Sequence, residues 1–199
     1  MALRVSGRSA VFLDKDGTLV EDVPYNVDPA LLRLTPGAGD ALRLLSQHGH
    51  ALVVVTNQPG LALGKFDRQS WMALRHALIE RVKQETGVTL DDVLACPHAP
   101  SARLAPDCLC RKPAPGLLRQ AAARHQIDLQ RSWMVGDILD DVEAGRRAGC
   151  RSLLMDVGHE TEWRASPLRV PEHRVRDLHE AARWITAHAE ALSSVPARV

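Results

Sequence analysis

Acidic, hydroxyl and amide side chains stand repeatedly at the ends of short apolar runs in this sequence. Ser9-Ala-Val-Phe-Leu-Asp14 leads into Lys15-Asp16-Gly17-Thr18, and Trp133-Met-Val-Gly-Asp137 is followed by Asp140 and Asp141. A third run, Ala51-Leu-Val-Val-Val-Thr56, ends in a hydroxyl and then two amides, Asn57 and Gln58. Carboxylates that gather without a counter-charge repel, so Asp14 and Asp137 are suited to share a hard divalent cation through oxygen ligands. Mg²⁺ takes one or two carboxylates and keeps its other positions for water and phosphate oxygens. A lone Asp-x-Asp also reads as a turn whose aspartates cap the next helix. Caps need not cluster, and here other polar strand ends join it.

A second constellation is softer. Cys96 and His98 form a C-x-H pair, and Cys108 and Cys110 a C-x-C pair in the same Pro-rich stretch. Three thiolates and an imidazole match a closed, tetrahedral structural Zn²⁺ site. A redox dithiol is the competing reading, but C-x-x-C is absent, and chance clustering of thiols poorly explains the histidine. With all four positions filled, zinc would fix the loop and deliver Arg111 and Lys112, which follow it directly, to the carboxylate edge. Cys150 reads as an ordinary buried thiol.

These groups need strands to align them. The three runs above, Arg151 to Met155, and the weaker Val93 to Cys96 read as strands. Helical patterns lie between them: Gly39 to His48, Asp67 to Thr86, Gly116 to His125, and Asp140 to Ala148. A last helix is expected from Asp177 to Leu192, with Leu178, Ala181, Ile185 and Leu192 on one stripe, and Ser193 to Val199 as a disordered tail. Alternation of strand and helix argues for an α/β fold, a parallel sheet with helices on both faces. Ligands of such sheets bind at the carboxyl ends of the strands, where the chemistry-bearing residues fall.

The 199 residues suit a single domain, and a net charge of +1 gives no global pull toward nucleic acid or membrane. No apolar run approaches the roughly 20 residues of a spanning helix. The start, MALRVSGRSAVFLDKDG, lacks a signal-peptide layout, so a cytoplasmic monomer with reduced thiols is expected. Pro59 to Phe66, PGLALGKF, fails as a phosphate-binding P-loop: Gly60 and Gly64 are too close, and Phe66 stands where a Ser or Thr would meet Mg²⁺. It reads better as a substrate-edge loop, with Lys65 either a phosphate contact or a solvated lysine. Arg111 is suited to clamp a second phosphate bidentately, or else to a structural ion pair.

DKDGT, the Thr-Asn after a hydrophobic strand, the downstream lysine and GDILDD together resemble the four motifs of the haloacid dehalogenase (HAD) superfamily of phosphohydrolases. The resemblance implies a HAD-like Rossmannoid sheet and a phosphatase. It makes Asp14 the nucleophile that becomes an aspartyl-phosphate, and Asp16 the acid that protonates the leaving oxygen and then the base for water. Thr56 would hold a phosphoryl oxygen and Lys112 would steady the nucleophile, with Asn57, Gln58, Lys65 and Arg111 at the substrate. Asp137 would hold Mg²⁺ with Asp14 and the main-chain carbonyl of Asp16, and the GDxxxD pattern favours Asp141 over Asp140 as its support.

The zinc loop is similar to that of the heptose bisphosphate phosphatases and histidinol-phosphate phosphatases, small members without a large cap domain. GLALGKF and PYNVDPALLRLTPG favour the former, and imply a small phosphorylated sugar: removal of the 7-phosphate of D-glycero-D-manno-heptose 1,7-bisphosphate. Histidinol phosphate or another sugar phosphate is the alternative substrate, and a zinc-stabilised interaction domain the non-enzymatic one.

Overall fold

A computed structural model describes residues 7–100 and 108–193, with side chains described to residue 188. The chain runs β1 (Ala10–Leu13), α1 (Ala38–Gln47), β2 (Ala51–Asn57), α2 (Arg68–Thr86), β3 (Asp92–Cys96), α3 (Gly116–His125), β4 (Trp133–Gly136), α4 (Leu139–Ala148), β5 (Arg151–Met155), β6 (His173–Val175) and α5 (Leu178–Ser193). Six strands form one parallel sheet in the order β3-β2-β1-β4-β5-β6.

Successive side chains of a strand point to opposite faces, and here both faces are covered. Val11, Leu13, Leu52 and Val54 join one core with Leu42, Leu45, Leu74, Leu78 and Ile185, from α1, α2 and α5. Ala10, Phe12, Val53, Val55 and Met134 join the other with Leu117, Leu118 and Ala121 of α3 and Ala144 of α4. This two-sided burial is why the strands read as unbroken apolar runs. Helix α2 begins where the Asp67 carboxylate accepts from the Ser70 amide at 2.8 Å, and its buried stripe is Trp71, Leu74, Leu78 and Val82. In α5, Leu178, Ala181 and Ile185 are buried. Leu192 lies beyond the described side chains; α5 runs through Ser193, the first residue of the expected disordered tail, and residues 194–199 of that tail and 101–107 of the loop expected to hold zinc lie outside the described residues.

One strand is absent from the sequence reading. β6 has three residues, two of them exposed, at the sheet edge, so neither length nor apolar pattern marks it. No helix among the described residues is long and apolar enough to cross a membrane.

Register explains the site. Leu13 pairs with Val54 on one side and Val135 on the other. Asp14 follows Leu13, Thr56 lies two residues past Val54, and Asp137 two past Val135. Three neighbouring strands therefore end on one side of the sheet with their polar residues almost level.

Candidate active site and metal centre

Asp14, Asp137 and Asp141 each offer a carboxylate oxygen within 4.8 Å of the others. All three are buried, and Lys112, 2% exposed, reaches into the same corner. Its Nζ pairs with Asp14 Oδ1 and stands 2.6 Å from Asp141 Oδ1. Burial disfavours the ammonium, but the Asp14 and Asp141 charges outweigh it and hold the Lys112 pKa above its ordinary value. Burial pushes Asp141 up, Lys112 pulls it down, and the neighbouring Asp14 and Asp137 push it up again. Asp137 is raised to about 6, first by burial and then by Asp14, against the pull of His159. Three carboxylates facing one ammonium leave an excess of negative charge. That donor set fits a hard divalent cation.

The turn after β1 supplies the rest. Gly17 has φ +78°, and a Cβ there would collide with Asp137 Oδ2 and lie 2.6 Å from His159 Nδ1. Glycine thus both makes the turn and lets two other segments close over it. Thr18 donates its hydroxyl to Asp137 Oδ1 at 3.3 Å. Asp16 pairs with Lys15 and accepts from Gln58 Nε2 at 3.1 Å. Burial raises the Asp16 pKa, opposed by Lys15 and reinforced by Asp14. The Gln58 amide also donates to Thr56 Oγ1 at 3.1 Å, tying the two motifs together.

Asn57, expected at the substrate, is half-buried with its amide turned to the Lys112 backbone. Its Oδ1 accepts from the Lys112 amide at 3.0 Å and its Nδ2 donates to the Lys112 carbonyl at 3.2 Å. The side chain holds the lysine's backbone. A cleft of about 240 Å³ opens beside Asp16, lined by Lys15, Tyr25, Asn26, Asn57 and Gln58. Lys65 is exposed at this margin, 5.9 Å from the Tyr25 ring centroid. Arg111 is half-buried and donates to the His98 carbonyl at 3.3 Å.

The second constellation assembles as one cluster. The sulfurs of Cys96, Cys108 and Cys110 are 3.7, 3.1 and 3.5 Å apart, and His98 Nδ1 lies 3.3 Å from Cys96 and 3.2 Å from Cys110. A tetrahedron of ~2.3 Å Zn–S bonds has ligand–ligand edges of about 3.8 Å, so these atoms need only a small expansion to take the ion. Burial opposes a thiolate at Cys108, but the backbone amides of Arg111 and Cys110 bring its pKa below the usual value. The residues fit zinc.

Sequence reasoning missed several contributors. His159 Nδ1 lies 2.7 Å from Asp137 Oδ2, and Glu160 Oε2 accepts from the Leu139 amide at the start of α4, also at 2.7 Å. Arg169 takes Asp140 at 2.6 Å, so of the two neighbouring aspartates Asp141 turns into the site and Asp140 away. No short motif links positions this far apart; only the fold brings them together.

A HAD-hydrolase-like family model matches residues 109–181. The D-glycero-beta-D-manno-heptose-1,7-bisphosphate 7-phosphatase of Mesorhizobium japonicum is 43% identical over 155 residues, 73% of this chain and 71% of that protein. The D-glycero-D-manno-heptose-1,7-bisphosphate 7-phosphatase of Thermosynechococcus vestitus is 35% identical over 190 residues, 91% of this chain and 97% of that one. Among solved structures, a D,D-heptose 1,7-bisphosphate phosphatase from B. bronchiseptica, complexed with magnesium and phosphate, superposes with a TM-score of 0.74. It is 30% identical, and the match covers 90% of this chain and 99% of the other.

Proposed function

This chain belongs to the HAD-like hydrolases, in the family of the heptose 1,7-bisphosphate 7-phosphatases, and we propose that it removes the 7-phosphate of D-glycero-D-manno-heptose 1,7-bisphosphate through an aspartyl-phosphate. The observation that carries this reading is the buried corner in which Asp14 faces Lys112, with Asp16 beside it. Lys112 takes Asp14 Oδ1, which leaves Oδ2 to attack phosphorus. As that O–P bond forms, the bond from phosphorus to the sugar oxygen breaks, and Asp16 gives the leaving oxygen its proton. The raised proton affinity of Asp16 suits this acid role. Asp16 then takes a proton from water, whose oxygen displaces Asp14 from phosphorus and releases inorganic phosphate. Splitting one displacement into two is the gain of covalent catalysis.

Thr56, held by Gln58, would take a phosphoryl oxygen, and Lys112, paired with Asp14, would steady the nucleophile and the transferring phosphoryl charge. Mg²⁺ held by Asp14, Asp137 and the Asp16 carbonyl would neutralise charge on those oxygens. Asp141 serves by fixing Lys112. Zn²⁺ at Cys96, His98, Cys108 and Cys110 would be structural, holding the loop end from which Arg111 and Lys112 emerge. Arg111, together with Lys65, would take the second phosphate.

The test is kcat/KM for the heptose bisphosphate beside its monophosphate and histidinol phosphate. A contact to the second phosphate is worth about 1.5–3 kcal/mol, so the bisphosphate should lead by about tenfold or more, and Arg111→Ala should erase that lead. Equal efficiency on all three, or preference for histidinol phosphate, would overturn the substrate.

A further inference from the structure

We propose that His159 is a positioning residue of the cation site: it orients the Asp137 carboxylate from outside, so that the ligand is aimed before the ion arrives. The proposal rests on the reading of Asp137 as a Mg²⁺ ligand and adds to it a residue from a segment with no part in the four motifs.

A carboxylate turns easily about its last torsion, whose preferences are broad. Two donors restrain it here. His159 Nδ1 meets Oδ2 at 2.7 Å and the Thr18 hydroxyl meets Oδ1 at 3.3 Å. An ionised carboxylate only accepts, so Nδ1 carries the hydrogen. Each oxygen keeps further lone pairs for an ion after these bonds are made. Partners of this kind, behind a metal ligand, typically change metal affinity 10–100-fold.

The histidine is itself held. It lies in the segment after β5, and the next residue, Glu160, accepts from the Leu139 amide at 2.7 Å. One dipeptide thus grips both ends of the turn from β4 to α4: His159 at Asp137 and Glu160 at Leu139. A carboxylate is favoured at that helix start, where unpaired amides gather. The third element is Gly17, since any Cβ there would occupy the space that Asp137 Oδ2 and His159 Nδ1 share. A chance surface pairing needs neither the second grip nor the vacated space.

Mg²⁺ affinity of the zinc-loaded protein, measured calorimetrically without substrate, tests this. His159→Ala should weaken binding by about tenfold or more, and the half-activating Mg²⁺ concentration should rise in step. His159→Asn, whose amide hydrogen sits where the Nδ1 hydrogen does, should recover most of the loss. Unchanged affinity in His159→Ala overturns the proposal, as does an equal loss in both variants, which would mark a general packing effect. Wild-type protein that takes up no Mg²⁺ would instead overturn the cation reading, and the role of His159 with it.

Discussion

Removing the charge of Asp137 should make the Mg²⁺-free protein more stable while it abolishes turnover. Burial and the Asp14 charge move the Asp137 carboxyl from 3.8 to about 6. Keeping it ionised at neutral pH therefore costs the Mg²⁺-free fold about 3 kcal/mol relative to the unfolded chain. Asp137→Asn removes that charge and keeps one oxygen that can accept from His159, while its NH2 can donate to the Thr18 hydroxyl oxygen. If the amide's poorer hydrogen bonds cost about 1 kcal/mol, the variant should gain about 2 kcal/mol at pH 7.5. For a chain of this size that is about 4–8 °C in melting temperature. The sign follows from proton linkage. The folded carboxyl binds its proton more tightly than the unfolded one, so its contribution is complete below 3.8 and is lost as pH rises through about 6. The advantage of the variant should accordingly be absent near pH 4, open between about pH 4 and 6, and stay level above. Thermal denaturation with zinc retained and Mg²⁺ removed reads this directly. Adding Mg²⁺ should raise the wild-type melting temperature and leave the variant unmoved. A variant no more stable than wild type at pH 7.5 without Mg²⁺ would refute the account of this corner as charge held under repulsion.

Asp14→Asn should fold and keep zinc yet release no phosphate from any substrate, since an amide cannot form the acyl phosphate; near wild-type release would exclude covalent catalysis. Cys108→Ser should lower melting temperature and activity together, and elemental analysis of reduced wild-type protein should find tightly bound zinc; its absence would remove the structural-metal assignment. Gly17→Ala should cost about 1–2 kcal/mol of stability for its left-handed backbone and, by displacing Asp137, about 10²-fold in kcat/KM. Wild-type kinetics in that variant would show that the close approach of turn and carboxylate is dispensable.

Much of this architecture could be read in advance, for a physical reason. Strands covered on both faces are apolar at nearly every position, so β1, β2, β4 and β5 stand out as runs, and the carboxyl ends of the first three carry the polar residues in plain sight. The Cys96–Cys110 cluster was legible because three thiols and an imidazole crowd into one short stretch. β6 was not, because an edge strand of three residues, two of them exposed, needs neither pattern nor length. His159, Glu160 and Arg169 escaped for another reason. Each acts through contacts with residues more than twenty positions away in sequence, and nothing local distinguishes it from a solvated side chain. Asn57 shows the limit from the other side: its place in a motif was visible, but the direction of its amide depended on a backbone 55 residues away.

That amide has a consequence for how such a protein can change. Asn57 grips the peptide of Lys112 from both sides, so the lysine's position is referred to the sheet, while Cys96 and His98 on one side and Cys108 and Cys110 on the other form two posts. The ammonium beside Asp14 thus keeps its register with β2 through the two Asn57 bonds, so a lineage can exchange exposed residues such as Leu109 and Lys65 without moving it.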